Sequence, residues 1–386
     1  MKRALAFATL AACASATPAE VVPAPAVHHD ASSVASDPRV ARAVEEMSHV
    51  RELAVMHAVR AEILPRGELM RALEAHVARE VPHDEIERES IFLKTLGVLG
   101  ADDDYEREVF AMVRRVAGGI YLPERGEMLL PEDLPRHELA TSLAHEAVHA
   151  LQDQHFGLEA FERYEPGASD AMLARSCLAE GDATSATEEA PADSDGSYIE
   201  REIAAPYVAG TAFVRALRER GGWAEVDRAW TRGGLTTEQV LHPEKWASGE
   251  RAIDVVAPTF AALGSGFVAS GADTHGELEL RLVLESAMPR ARAAEVASGW
   301  GGDRSMLARS GANSALAWRI RWDDDASARR AFGAMKDAFA RGRTCSEERA
   351  SPTEVTPKGR DVLLLVGPPG SRCALLDAWS REVFSE

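Results

Sequence analysis

Residues 142–156, SLAHEAVHALQDQHF, contain the pattern H-E-x-x-H. On a helix, residues four apart project from the same face, so His145 and His149 can present two imidazoles to one metal ion, with Glu146 beside them. A catalytic zinc site is built from three protein ligands and an open position that holds a water. A neighbouring glutamate accepts the proton of that water. The pattern therefore predicts a zinc-binding helix, and the alternative is an ordinary helix with two incidental histidines.

The residues around the pattern favour a buried helix that begins near residues 133–135. Apolar side chains recur on the helical period at Leu139, Leu143, Val148 and Leu151. Burying two histidines and a glutamate without partners would be costly, and a bound metal removes that cost. Asp153, one turn beyond His149, is a candidate for orienting a ligand histidine, with an ordinary surface charge as the alternative.

The third zinc ligand is predicted to be Glu180, in the segment LAEGDAT. On a helix, this carboxylate lies on an apolar stripe, which is typical of a metal ligand, and a salt bridge to an arginine is the alternative. The other members of the stripe are Leu173, Cys177 and Thr184. Asp182 points about 200° around the helix from Glu180, which favours a supporting or a surface position over a role as the third ligand. His155 follows His149 too closely to face the same metal.

The two motifs together resemble the gluzincin branch of the HExxH metallopeptidases. HEAVHALQDQHF matches the zinc helix, and Glu180-Gly181-Asp182-Ala183 matches the E-G-x-A helix that carries the third ligand. Other segments resemble a family of exported, largely uncharacterised bacterial and archaeal metallopeptidase-like proteins, namely VAGGIYLPERGEMLL, APYVAGTAFV, LTTEQVLHPEKW and GWGGDRS. The resemblance spans most of residues 50–325. It implies a zincin-like fold, a Zn²⁺ cofactor and Glu146 as the general base of peptide-bond hydrolysis.

The resemblance also implies how a substrate is held. Gluzincins place an edge strand ahead of the zinc helix, and an extended peptide pairs with it. The hairpin Gly119–Pro131 occupies that position, with apolar runs at Ile120–Leu122 and Met128–Leu130. A tyrosine or histidine donor stabilises the oxyanion, and the candidates are Tyr207 and His242. Their alternative roles are a packed helix tyrosine and a loop-capping histidine.

The first 13 residues have the composition of an export signal that is too short to span a bilayer. A basic start precedes the apolar run Ala4–Ala12, and LAAC, ending at Cys13, resembles the lipobox of bacterial lipoproteins. Cleavage after Ala14-Ser15-Ala16 is the alternative. Both interpretations predict export, with the protein lipid-anchored in the bacterial cell envelope or secreted. Residues 14–37 are rich in Ala, Pro and Ser and are predicted to form a disordered tether.

The pattern along the rest of the chain predicts an α+β fold in two domains. Helical periodicity over residues 38–116 indicates the N-terminal part of a mainly helical metallopeptidase domain, 38–270, which contains a short sheet and a long helix bent or interrupted at Pro206. From 271 to 386, a helix over 275–299 leads into a β-β-α-β-α order, which predicts a small α+β domain. The predicted strands are Met306–Arg309, Ala315–Trp322 and Asp361–Gly367.

Composition limits the partners. The chain has 386 residues, of which 46% are hydrophobic and 27% charged, as in soluble globular proteins. Its net charge of −19 disfavours nucleic acid. The predicted partners are a peptide or protein substrate, and a membrane only through the lipid anchor. Cys345 and Cys373 are predicted to form a disulfide in an oxidising compartment, and Cys177 is predicted to be a buried apolar residue.

Two other functions remain open at this point. One is a non-catalytic envelope lipoprotein with a structural or vestigial zinc site. Cys177 lies one turn from Glu180 and could close such a site as a fourth ligand. The other is a zinc amidohydrolase that acts on a non-protein substrate, such as a cell-wall amide.

Overall fold

A computed structural model describes residues 9–12, 38–188, 193–263, 266–340 and 353–382. Helices and two small sheets make up an α+β fold, which confirms the predicted class. One hydrophobic core extends from Val40 in the first helix to Val366 in the last strand. No helix within the described ranges is long and apolar enough to cross a membrane. The predicted lipid-carrying Cys13, the tether at 14–37 and Cys345 lie outside the described residues.

The first sheet has four strands in the order β1–β3–β4–β2. These strands are β1 (Thr9–Ala12), β2 (Arg60–Leu64), β3 (Ala117–Leu122) and β4 (Glu127–Pro131). The antiparallel β3 and β4 form the predicted hairpin, because a turn separates two apolar runs. β1 runs antiparallel along the other edge of β3, and β2 pairs in parallel with β4.

The strand β2 corrects the prediction that residues 38–116 are helical throughout. The segment RAEIL has only five residues, and its burial does not alternate in a simple way. Such a short run cannot be assigned to strand or helix by periodicity. Its parallel partner β4 lies more than sixty residues away in the chain, so the pairing is set by tertiary contacts. The helices of this part are α1 (Pro38–Arg51), α2 (Arg66–Glu80), α3 (His83–Leu96) and α4 (Tyr105–Val116).

The helix that carries H-E-x-x-H is α5 (Arg136–Phe156), and it is followed by the short α6 (Leu158–Phe161). Every residue from Ser142 to Gln152 except Ala144 is buried, since the helix packs against β3, β4, α1 and a later helix, α7 (Ser169–Ala186). Gly157 ends α5 in the left-handed conformation, with φ 70°, which glycine adopts without a Cβ penalty. The predicted buried helix is therefore present.

The long helix α8 (Tyr198–Arg232) is followed by α9 (Thr237–Leu241) and α10 (Pro243–Ser248). The prediction was a helix bent or interrupted at Pro206, and the interruption is wrong, because the backbone departs from helical geometry at Gly221 and Gly222 instead. A bend at Pro206 stays a prediction. A proline in a helix removes one hydrogen bond, whereas Gly222 has φ 65° and ψ −160°. This is a conformation that residues with a Cβ rarely adopt.

The second sheet is antiparallel, in the order β5–β6–β7–β9–β8. Its strands are β5 (Val268–Asp273), β6 (Trp300–Ser310), β7 (Asn313–Trp322), β8 (Thr353–Lys358) and β9 (Asp361–Val366). The helices around it are α11 (Gly276–Glu285), α12 (Arg290–Ala297), α13 (Asp325–Met335) and α14 (Pro369–Glu382). The edge strands β5 and β8 were not predicted from the sequence. All of GWGGDRS except its first glycine lies in β6, rather than before the strand as predicted. The predicted helix over 275–299 is two helices, which separate ahead of Pro289.

Candidate metal centre

The structure brings the three predicted zinc ligands together. His145 and His149 lie on α5 and Glu180 lies on α7, with one ligand atom from each within 4.8 Å of the others. Nε2 of His145 is 3.2 Å from Oε2 of Glu180, and Nε2 of His149 is 3.5 Å from the same oxygen. All three side chains are buried. We refer to this group as the metal centre.

Two glycines allow the helices behind the metal centre to approach closely. A Cβ atom on Gly181 would overlap the carbonyl group of Gly210, and one on Gly210 would overlap the carbonyl oxygen of Cys177. Backbone contact between α7 and α8 therefore requires glycine at both crossing positions. Gly181 directly follows Glu180, so the glycine of the E-G-x-A motif has a packing role beside the ligand.

The donor atoms of the metal centre fit Zn²⁺. Nε2 of His149, which faces the cluster, is buried and has no hydrogen-bond partner among the described residues. An unsatisfied buried nitrogen is costly, and coordination satisfies a nitrogen that faces the cluster. Two imidazoles and one carboxylate are a common zinc donor set, whereas Ca²⁺ and Mg²⁺ prefer oxygen alone.

The electrostatic environment of the metal centre shifts the pKa values of the two histidines in opposite directions. Burial lowers the pKa of His145. Burial also acts to lower the pKa of His149, but the charge of Glu180 outweighs it and raises that pKa to about 9. Burial acts to raise the pKa of Glu180, while His149 and a hydrogen bond with His145 bring it down to about 2. Glu180 is therefore ionised at neutral pH and available as a ligand.

Glu146 lies between the metal centre and the first sheet. Its side chain is fully buried, and the glycine backbone of β3 makes room for it. A Cβ on Gly119 would lie 3.1 Å from Cγ and Oε1 of Glu146 and 2.9 Å from Cδ2 of Leu130. The carboxylate thus sits against the strand that the resemblance associates with substrate.

The structure assigns the support of a ligand histidine to Gln152 rather than Asp153. Nδ1 of His149 donates to Oε1 of Gln152 at 2.8 Å. Asp153 instead accepts hydrogen bonds from the Tyr121 hydroxyl and the Leu158 backbone, each at 2.9 Å. The orienting role predicted for Asp153 is therefore taken by Gln152, and Asp153 itself is partly buried. The signal that could have identified Gln152 is its spacing of three residues from His149, since such pairs are neighbours on a helix.

The two oxyanion candidates differ in their surroundings. The ring centroid of Tyr207, on α8, is 6.2 Å from that of His145, so the structure places this residue beside the metal centre. Nε2 of His242 lies 2.9 Å from Oε1 of Glu277. That hydrogen bond raises the pKa of His242. A role in oxyanion stabilisation stays a prediction for both residues, and Tyr207 has the more suitable position.

The rival ligands have other partners. Asp182 is fully buried, which makes its predicted surface alternative wrong. It accepts from Nε of Arg51 at 2.6 Å and from the Trp230 indole at 2.9 Å, so it joins the first helix to α7 and α8. Nε2 of His155 donates to the backbone carbonyl of Ala54 at 2.7 Å.

The cysteines bear on the zinc site and on the predicted disulfide. Cys177 is buried and free, and among the described residues the metal centre has three members without it. Burial raises the pKa of its thiol, which disfavours the thiolate that zinc binds. Cys373 is disulfide-bonded. Because its predicted partner Cys345 lies outside the described residues, that pairing stays a prediction.

A second group of potential ligands comprises Glu238, Glu250 and Asp323. The ammonium of Lys245 lies between them, 2.6 Å from Glu238, 2.8 Å from Glu250 and 2.7 Å from Asp323. We call these four residues the lysine cluster. Since a built-in cation already satisfies the carboxylates, the cluster needs no metal.

Comparison with known proteins gives one match. A family model described as a domain of unknown function (DUF8575) matches residues 265–377. No curated protein matches the chain, and no solved structure matches it. The segment from β5 into α14 is therefore similar to a domain of unknown function, and the metal centre lies outside the matched residues.

Proposed function

We propose that the protein is a zinc-dependent peptidase in which His145, His149 and Glu180 hold the metal and Glu146 is the general base. The observation that carries this proposal is a metal centre of three residues with a second, separate carboxylate, Glu146, on the helix that bears the two histidines. A structural zinc site is normally closed by four protein ligands, whereas a catalytic site has three and keeps one position open. A structural site also has no need of Glu146.

The chain supplies the remaining parts of a hydrolytic site. Bound zinc would act as a Lewis acid that polarises the scissile carbonyl and lowers the pKa of water. Glu146 takes the proton of the attacking water and passes it to the leaving amine. The Tyr207 hydroxyl is the candidate donor to the developing oxyanion.

The first sheet supports a peptide as the substrate. An extended peptide can add to the edge of β3 through main-chain hydrogen bonds, and Gly119 of this strand lies against Glu146. In this chain β1 (Thr9–Ala12) runs antiparallel along that edge, with Leu10 opposite Ile120. These residues belong to the predicted export signal, and a substrate would have to take their place.

The proposal is tested by measuring zinc content and hydrolysis of a broad peptide library with the wild-type chain and Glu146→Gln. We expect one zinc per chain in both proteins. The rate in the variant should be about 10²- to 10⁴-fold lower, since general-base catalysis contributes that much. Glu138→Gln, in the first turn of the same helix, is the matched control and should leave both quantities unchanged.

Three results would contradict the proposal in different ways. A wild-type chain without stoichiometric zinc would remove its basis. Zinc in both proteins with hydrolysis by neither would favour the structural site. Hydrolysis of cell-wall amides but not of peptides would retain the zinc chemistry and change the substrate.

A further inference from the structure

Gln152 forms hydrogen bonds to both helices that carry the zinc ligands. It is fully buried on α5. Its Oε1 accepts from Nδ1 of His149 at 2.8 Å, and its Nε2 donates to the backbone carbonyl of Ala179 at 3.0 Å. Ala179 directly precedes Glu180 on α7, so the same amide contacts one ligand and the backbone next to another.

The carbonyl of Ala179 determines the orientation of this amide. A backbone carbonyl can only accept a hydrogen bond, so the NH₂ group of Gln152 must face it and Oε1 must face His149. Oε1 in turn can only accept, which places a proton on Nδ1 of His149. In the neutral ring, which is the form that binds a metal, the lone pair is then on the other nitrogen, Nε2, which faces Glu180.

The two histidines are not supported equally. Nδ1 of His145 is buried without a hydrogen-bond partner among the described residues, whereas Nδ1 of His149 is held by Gln152. Outer hydrogen bonds of this kind orient a ligand ring and affect metal affinity by 10- to 100-fold. Of the two ligand rings, His149 is therefore the one that this neutral amide orients.

We infer that Gln152 is a positioning residue that fixes the tautomer and ring orientation of His149 and holds α5 and α7 in the register that presents Glu180. This inference rests on the proposed zinc function. A carboxylate at this position could accept from His149 but could not, when ionised, donate to Ala179. The need for one acceptor and one donor explains why an amide occupies the site.

The test is the zinc dissociation constant of the full chain, measured by competition with a chromogenic chelator. Gln152→Met keeps the length of the side chain and removes both hydrogen bonds, and we expect the constant to rise about 10- to 100-fold. Gln154→Met is the matched control. Gln154 lies on the same helix, and its amide also bonds in both directions, to the backbone of Met56 and His57, away from the metal. The Gln154→Met variant should leave the zinc dissociation constant unchanged within about twofold.

The melting temperature of each metal-free protein separates positioning from packing. A lower melting temperature in Gln152→Met with unchanged zinc affinity would show a purely structural role and overturn the inference. Gln152→Glu, which retains the acceptor, should also bind zinc more weakly, and wild-type affinity in this variant would exclude the bridge to Ala179. If the wild-type chain itself binds no zinc, the proposed function fails. That result is distinct from unchanged zinc affinity in Gln152→Met and from wild-type affinity in Gln152→Glu.

Discussion

The metal centre and the lysine cluster each bring three potential ligand atoms within 4.8 Å of one another, and they differ in what lies between those atoms. In the lysine cluster, the ammonium of Lys245 contacts all three carboxylates. In the metal centre, two imidazoles and a single carboxylate converge, and Nε2 of His149 has no hydrogen-bond partner in the part of the chain that the structure describes. Ligand proximity alone therefore does not indicate a metal site. A group of nearby ligand atoms is a candidate metal site only where hydrogen-bonding capacity within it is left unsatisfied.

The largest expected effect is the loss of zinc from the metal centre in Glu180→Ala. Two histidines alone leave the ion short of the three protein ligands of a catalytic site. Saturating zinc at about 100 times its dissociation constant should stabilise the wild-type chain by about 2.7 kcal/mol. That gain should vanish in the variant, together with hydrolysis. Thermal melts with and without added zinc measure this, and Glu159→Ala, an exposed position, is the control.

A zinc-dependent shift that survives in Glu180→Ala would place the ion elsewhere in the molecule. It would also remove the contrast between the metal centre and the lysine cluster.

A smaller effect, a loss of folding stability, is expected from Lys245→Ala, which leaves the three carboxylates of the lysine cluster without their cation. Removing one partner of a fully buried pair costs about 3–5 kcal/mol. Glu250 and Asp323 are 43% and 33% exposed, so solvent screening reduces the cost to about 2 kcal/mol. The variant cluster should also acquire weak affinity for Ca²⁺, which prefers oxygen ligands.

Denaturant unfolding of Lys245→Ala with and without millimolar calcium tests both expectations, with Lys94→Ala as the control. Wild-type stability in the variant, or no response to calcium, would contradict the idea that the ammonium stands in for a metal ion.

The smallest effect concerns the geometry of the metal centre rather than its charge. In Gly119→Ala, the new methyl group lies 3.1 Å from Oε1 of Glu146 and should displace the carboxylate by a few tenths of an ångström. We expect zinc binding to persist and hydrolysis to fall about 10- to 100-fold, because small misplacements of a reacting group are costly.

Gly67→Ala is the control for Gly119→Ala, since a Cβ there meets only the flexible end of Arg71 at 3.8 Å. Unchanged hydrolysis in Gly119→Ala would show that Glu146 adapts without loss.

Much of the metal centre follows from local periodicity. His145 and His149 face one way because four residues make about one helical turn, and Glu180 stands out as a carboxylate on an apolar stripe. The contact of Gln152 with His149 is also local, at a spacing of three residues, but its bond to Ala179 on another helix could not be predicted from local spacing. The strand Arg60–Leu64 was missed for a similar reason, since its partner strand is remote in the chain.

The amino-acid sequence by itself determined which residue types share a helix face, where the apolar runs lie and that the class is α+β, since these depend on neighbours within one or two turns. Tertiary structure decided that α5 and α7 meet with their ligand atoms converging. It also decided that α7 packs against the backbone of α8, where glycines at 181 and 210 allow close contact. Tertiary structure likewise decided that Lys245 lies among the three carboxylates of the lysine cluster, whereas two histidines face the single carboxylate of the metal centre. These outcomes depend on contacts between distant segments, and no local pattern encodes them.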